Sequence, residues 1–67
     1  MTTKFYKTFG WDKICFNPEK KGYEYWSFDN ELDEHVFEHD LLESDFYDFE
    51  PELGDFEYIF SAEFPVL

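Results

Sequence analysis

The chain has no arginine, only five lysines, one cysteine, three glycines and three prolines among 67 residues. A single cysteine, Cys15, cannot form a disulfide within the chain, which excludes a disulfide-stapled scaffold. No apolar run approaches the roughly 20 residues that a membrane-spanning helix needs. Residues 1–11 also lack the apolar core of a secretory signal. We therefore expect a cytoplasmic protein that does not bind membranes.

Acidic and aromatic residues are abundant where basic residues are scarce. There are 17 Asp and Glu, the formal net charge is −12, and 25% of the residues are aromatic. Acidic chains usually stay disordered when they have too few apolar residues to form a core. Here 43% of the residues are hydrophobic, which is enough for a small core. The composition therefore predicts a single acidic domain over residues 1–67.

Size and charge also exclude function classes. A net charge of −12 repels nucleic acids and anionic membranes, so direct nucleic-acid binding is not expected. Ligand pockets usually have volumes of roughly 300–1,000 Å³, which a domain of this size rarely encloses. We expect no enzymatic activity and no cofactor. The natural partners of such a chain are positively charged: a DNA- or RNA-binding protein, a polyamine or a metal cation.

The charges are segregated along the chain. Residues 1–22 contain all five lysines and two acids, whereas residues 23–67 contain fifteen acids and no lysine. Charge repulsion destabilises a compact state. We expect the lysine-bearing segment to pack beside the acidic segment and to reduce this repulsion.

Several segments have the pattern of β-strands. Residues 4–9 mix Lys, Thr and aromatic residues, and Gly10 then marks a turn or bulge. Residues 11–16 and 23–28 flank the loop residues 17–22 and predict a β-hairpin. Residues 55–61 alternate strictly, with Phe56, Tyr58 and Phe60 on one face. Pro51 excludes a central strand around it, and we expect residues 62–67 to drape over the surface or fray.

The segment 30–43 is interpreted as a helix. It has no Gly or Pro, and Asp29 or Asn30 can cap its first turn, where acids are favoured. Its apolar residues lie on more than one helical face, so an irregular helix that ends early is an alternative. The predicted fold class is α+β, with a small antiparallel sheet of three to four strands and one helix.

A short pattern, His35-Val36-Phe37-Glu38-His39, matches the H-x-x-E-H motif of a zinc protease family. On a helix, His35 and His39 would lie one turn apart and could share a zinc ion, with Glu38 as the base. We reject this interpretation because the chain is too short for the cleft of such an enzyme. The acids from Asp45 to Glu52 also lack the spacing of a calcium loop. We therefore expect no metal site.

The strongest functional signal is a dense series of acids, which we call the acidic array. Its members are Glu31, Asp33, Glu34, Glu38, Asp40, Glu43, Asp45, Asp48, Glu50, Glu52, Asp55 and Glu57. On a strand, alternate residues such as Asp55 and Glu57 lie about 6.6–6.8 Å apart. On a helix, Glu31, Glu34 and Glu38 would lie about 5–6 Å apart. Phosphates of duplex DNA follow one another on a similar scale, so the array is predicted to bind a basic DNA-binding surface.

The aromatic residues have a related role in this interpretation. A rigid scaffold binds with a smaller loss of conformational entropy than a flexible acidic tail. Seventeen aromatic residues exceed what a small monomer can bury, so we expect a homodimer. Exposed aromatics among the acids, such as Tyr47 or Phe49, are expected to anchor the contact with the partner.

In size, charge and aromatic content the whole chain resembles the small acidic DNA-mimic proteins that bacteriophages encode. That group includes inhibitors of the nucleoid protein HU, of uracil-DNA glycosylase, of restriction enzymes and of CRISPR effectors. The resemblance implies that the chain binds the DNA-binding surface of a basic host protein and blocks DNA competitively. An HU-type protein is the preferred target, since a dimeric basic protein suits a dimeric mimic.

Two other function classes remain open. Interleaved acidic and aromatic residues, as in DFYDFEPELGDFEYIF, are also typical of partly disordered segments that fold on a protein partner. The third class is an enzyme or a metal protein that uses His35, Glu38 and His39. Stoichiometric zinc in the purified protein would favour it.

Overall fold

The chain is built from β-strands. A computed structural model describes residues 1–66, and it contains β1 (Thr2–Phe9), β2 (Lys13–Asn17), β3 (Gly22–Asp29), β4 (Glu34–Leu41), a 3₁₀ turn (Glu43–Asp45) and β5 (Glu57–Phe64). The strands form two antiparallel sheets, one of β1 and β5 and the other in the order β2-β3-β4. Two compact units result: the three-strand unit, Trp11–Leu42, and the two-strand unit, Met1–Gly10 with Glu43–Leu67.

The three-strand unit begins with the hairpin that the sequence predicts. Strands β2 and β3 pair from Lys13 with Trp26 to Asn17 with Gly22. The Asn17 side chain accepts hydrogen bonds from the amides of Glu19 and Lys20, at 3.0 and 3.4 Å. Such an Asx turn starts the chain reversal. Lys21 completes it with a φ of 55°.

The predicted helix over 30–43 is wrong, and so is the α+β fold class. Asp29 does cap a turn, because its side chain accepts hydrogen bonds from the amides of Glu31 and Leu32. The turn is not propagated, since Asp33 adopts a φ of 55° and reverses the chain. Residues 34–41 then pair with β3 as an edge strand. Asp29 therefore caps a turn as predicted, but this turn begins a hairpin loop like the one between β2 and β3 instead of a helix.

Cross-strand ring pairs explain why residues 34–41 form a strand. Trp26 lies against Phe37, with ring centroids 5.9 Å apart, and Tyr25 stacks on His39 at 5.4 Å. Such pairs between neighbouring strands are the unit of sheet stabilisation. A β-bulge interrupts the pairing, because the partner of Tyr25 is His39 and the partner of Trp26 is Phe37. Glu38 is the extra residue of the bulge.

In the two-strand unit, β1 and β5 pair from Thr2 with Phe64 to Phe9 with Glu57. Residues 57–61 are extended as predicted, but the strand begins two residues later than expected, so Phe56 does not share the face of Tyr58 and Phe60. Phe56, which directly precedes β5, has a φ of 63°. This conformation is not extended, so Asp55 and Phe56 stay outside the strand. The end of the chain also differs, since residues 62–64 continue β5 instead of draping, and Leu67 lies outside the described residues.

The two-strand unit has a third contributor beside β1. The amide and carbonyl of Tyr47 bond the carbonyl and amide of Phe5, at 2.7 and 2.9 Å. This bridge brings the neighbouring Phe46 ring over Tyr6 and Phe64, with centroid distances of 5.6 and 5.1 Å. Phe46 is 6% exposed, and it is a buried apolar residue of this unit together with Ala62.

Much of the apolar surface remains exposed. Large exposed hydrophobic residues include Trp11, Phe16, Phe37, Phe49 and Phe56. This agrees with the expectation that the aromatic residues exceed what the chain alone can bury. Among residues 1–66 there is no helix of the length and apolarity needed to cross a membrane.

Candidate functional site

The acidic array is divided between the two units. Glu31 and Asp33 lie in the loop between β3 and β4, and Glu34, Glu38 and Asp40 lie on β4. The members in the two-strand unit are Glu43, Asp45, Asp48, Glu50, Glu52, Asp55 and Glu57. All twelve are exposed except Glu57, which is half-buried. The spacing expected for a helix does not apply to Glu31, Glu34 and Glu38, since no helix forms there.

In the three-strand unit, the acids surround the β3–β4 turn. Asp29 holds this turn through two hydrogen bonds of 2.9 and 3.1 Å to backbone amides. The bulge directs Glu38 to Ser27, whose hydroxyl donates a hydrogen bond of 2.6 Å to the carboxylate. A shallow groove of about 510 Å³ lies beside them, lined by Ser27, Phe28, Asp29, Asn30, Glu31, Val36 and Glu38. The local chain therefore presents carboxylates from a fixed turn.

In the two-strand unit, lysines of β1 hold part of the array. Lys4 Nζ lies 3.1 Å from Asp48 and 3.6 Å from Glu43. The hydrogen bond to Asp48, supported by Glu43, raises the pKa of Lys4 above its usual value. Lys7 Nζ lies 3.6 Å from Glu57. These contacts fix the acids next to β1 but neutralise only some of them.

The lysine distribution agrees with the expectation that the first segment reduces the repulsion of the second. Within each unit, the ion pairs of the described residues join Lys4, Lys7 or Lys20 to acids from Glu24 to Glu57. A charge excess remains in both units. The three-strand unit has nine acids and three lysines, and the two-strand unit has eight acids and two lysines.

One acid outside the array has a structural role that the sequence analysis did not predict. Glu24 on β3 is only 5% exposed. Its carboxylate lies 2.7 Å from Lys20 Nζ and accepts hydrogen bonds from Asn17 and from the Trp26 indole. The bond to Lys20, followed by those to Asn17 and Trp26, lowers the pKa of Glu24. Glu24 therefore stabilises the hairpin and is not available to a partner. In the sequence, the i, i+4 spacing between Lys20 and Glu24 was the signal that could have indicated this ion pair.

The structure does not bring the two histidines together on one face of the sheet. The partner of His35 on β3 is Phe28 and the partner of His39 is Tyr25. Phe28 and Tyr25 are three positions apart, so the bulge places the two histidines on opposite faces of the sheet. His35 Nε2 lies 2.7 Å from the carbonyl oxygen of Trp11. Among residues 1–66, no group of three or more His, Cys, Asp or Glu could hold a metal ion.

The aromatics that the sequence predicts as contact anchors are exposed. Tyr47 is 40% and Phe49 is 71% exposed. Their rings are stacked, with centroids 6.3 Å apart and planes inclined by 24°. Asp48 lies between them in the sequence and is bound by Lys4. This segment therefore combines exposed rings with carboxylates.

No family model, curated protein or solved structure matches the chain. The likeness to phage-encoded mimics therefore remains one of size, charge and aromatic content. Charge, exposure and local geometry are the observations on which a function can be based.

Proposed function

We propose that the chain is a DNA mimic that binds the DNA-binding surface of a basic protein and blocks DNA competitively. The target that fits best is an HU-type nucleoid protein in the cytoplasm of a bacterial host. The observation that carries the proposal is the exposure of eleven of the twelve array acids with few lysines beside them. The proposed activity requires no catalysis and no cofactor.

Electrostatics supports this function. Glu31, Asp33 and Glu34 follow one another around an exposed turn, and none of them makes a lysine ion pair within residues 1–66. Like charges at this density are unfavourable in the free protein. A basic surface removes that repulsion, and the counterions that it releases on binding favour association.

Local rigidity also supports it. The Asp29 turn, the bulge at Glu38 and the pairs of Lys4 with Glu43 and Asp48 hold backbone or carboxylates in place. A partner therefore meets carboxylates that have less conformational freedom to lose on binding. A partly disordered segment would lack this advantage, and collapsed amide resonances in an NMR spectrum would favour that alternative.

The test is competition with DNA. Fluorescently labelled duplex is bound to a purified HU-type protein, and the acidic chain is added at increasing ionic strength. We expect displacement of the duplex at low salt, and direct binding of the acidic chain to the HU-type protein should weaken steeply as salt rises, because each ion pair formed releases counterions. Displacement that is absent at low salt, or direct binding that does not change with salt, would contradict the proposal.

Matched variants test the array itself. E31Q/E34Q removes two exposed charges at the β3–β4 turn, and E19Q/E63Q removes two exposed charges outside the array. Both variants change the net charge equally, so a larger loss of competition for E31Q/E34Q supports a positioned array. Equal losses would indicate that only the total charge matters. Running the assay with a uracil-DNA glycosylase, a restriction enzyme and a CRISPR effector compares the alternative targets.

A further inference from the structure

Three rings form a near-parallel stack at the surface of the two-strand unit. Tyr6 and Tyr47 have ring centroids 6.5 Å apart and planes inclined by 11°. Phe49 continues the stack beyond Tyr47 at 6.3 Å. Phe49 is the most exposed of the three, at 71%. The stack therefore ends in a ring that is open to solvent.

Contacts made by three neighbouring residues hold the stack in position. Tyr47 forms a two-bond bridge with Phe5 of β1. Phe46, the residue before it, is buried against Tyr6 and Phe64. The residue after it, Asp48, is bound by Lys4 at 3.1 Å. Three successive residues are thus fixed, and the exposed ring follows directly.

The surroundings of the exposed ring are acidic. Phe49 lies between Asp48 and Glu50 in the sequence, and both side chains are exposed. Glu50 makes no lysine ion pair among the described residues. The two-strand unit as a whole has eight acids against two lysines. An apolar ring among carboxylates suits a ligand that is flat and cationic.

We propose that the Tyr47–Phe49 stack is a docking platform for arginine side chains of the basic partner. A guanidinium group is planar and weakly hydrated, so it can lie on the open face of Phe49 while its N–H groups bind a neighbouring carboxylate. A lysine ammonium is more strongly hydrated and has no flat face to stack. This inference rests on the proposed function, since it names the side chain through which the DNA-binding partner is recognised.

The experiment compares two peptides of equal length and charge, octa-arginine and octa-lysine, in calorimetric titrations with the full chain. The wild-type chain is expected to bind octa-arginine more tightly. F49A should weaken octa-arginine binding about fivefold, the typical size of an exposed cation–π contact, and leave octa-lysine binding unchanged. F49Y keeps the ring and should keep the preference.

Two further variants separate recognition from folding. F49L keeps apolar bulk without a ring face, and it should lose the arginine preference while the far-UV CD spectrum and amide NMR spectrum stay those of the wild type. F9A removes another exposed phenylalanine of the same unit and should leave binding of both peptides unchanged.

The outcomes distinguish the two proposals. If both peptides bind with equal affinity and F49A and F49L change neither, the arginine platform is overturned while the acidic mimic stands. If neither peptide binds at low salt, the proposed function fails and this inference fails with it. A loss of affinity for both peptides in F49A would also overturn the platform, because the ring would then not be selective for guanidinium.

Discussion

Truncation of one buried ring tests the construction of the two-strand unit. Phe46 is 6% exposed and meets Tyr6 and Phe64 edge to face. Deleting a buried phenylalanine side chain to alanine typically costs about 3–5 kcal/mol. A stability of roughly 0.05–0.15 kcal/mol per residue amounts to about 3–10 kcal/mol for a chain of 67 residues. F46A should therefore remove a large fraction of the free energy of unfolding.

A graded series keeps this prediction measurable when F46A does not fold. F46L retains most of the volume and should cost about 1–1.5 kcal/mol. F49A, at a ring that is 71% exposed, should change the stability by no more than about 0.5 kcal/mol. Urea unfolding followed by far-UV CD gives the free energies. The two tryptophans are unsuitable as probes because Trp11 and Trp26 belong to the other unit.

Hydrogen exchange locates the effect. In F46L, the amides of β1 and β5 should lose protection, since Phe46 packs on residues of these two strands. The reasoning is refuted if F46L and F49A have equal unfolding free energies and equal exchange rates in β1 and β5. Phe46 would then not be the residue that holds the segment after the 3₁₀ turn on the sheet.

Four further outcomes are expected. The hydrogen bond from Lys20 lowers the pKa of Glu24. The Glu24 charge therefore stabilises the fold at pH values above its unfolded pKa of 4.5, and this contribution is lost as the pH falls through the lowered pKa. The fall of Tm in acid should thus be shallower in E24Q than in wild type. Phe56 has a φ of 63°, so F56G should be more stable than F56A by about 1 kcal/mol in urea unfolding, the reverse of the usual order of Gly and Ala. Added NaCl should raise the wild-type Tm, because screening weakens repulsion within a chain of net charge −12; a Tm that falls would show that the lysine ion pairs dominate. Sedimentation equilibrium should give twice the monomer mass of 8.2 kDa if a second copy covers the exposed rings, and a monomer at millimolar concentration would contradict the homodimer.

The strands that could be predicted are those with local signals. Alternation of residues 57–61 and the loop residues 17–22 mark β5 and the β2–β3 hairpin, and both are in place. Strand β4 could not be predicted in this way. Its signals at Asp29 and in the acids that follow are those of a helix N-terminus, and tertiary pairing decided the outcome. The ring contacts of Phe37 and His39 with β3 are not visible to a reading of residues 30–43 alone.

The candidate site was predictable in charge but not in arrangement. Exposure of most of the array follows from the cost of burying carboxylates. Glu24 is the one buried acid among residues 1–66. Its carboxylate has three partners from neighbouring positions, and only Lys20 has a recognisable spacing. His35 and His39 lie on opposite faces because of a one-residue bulge. No periodic pattern in the sequence predicts this bulge.

The register of the two sheets has a consequence for the order of folding. Strands β2, β3 and β4 are joined by two short loops, whereas β1 pairs with β5 from Thr2 with Phe64 to Phe9 with Glu57. Closing a long loop costs conformational entropy before the contacts that offset this cost can form, so sheets made of distant segments form slowly. The three-strand unit should therefore form faster than the two-strand unit, which carries the platform at Phe49.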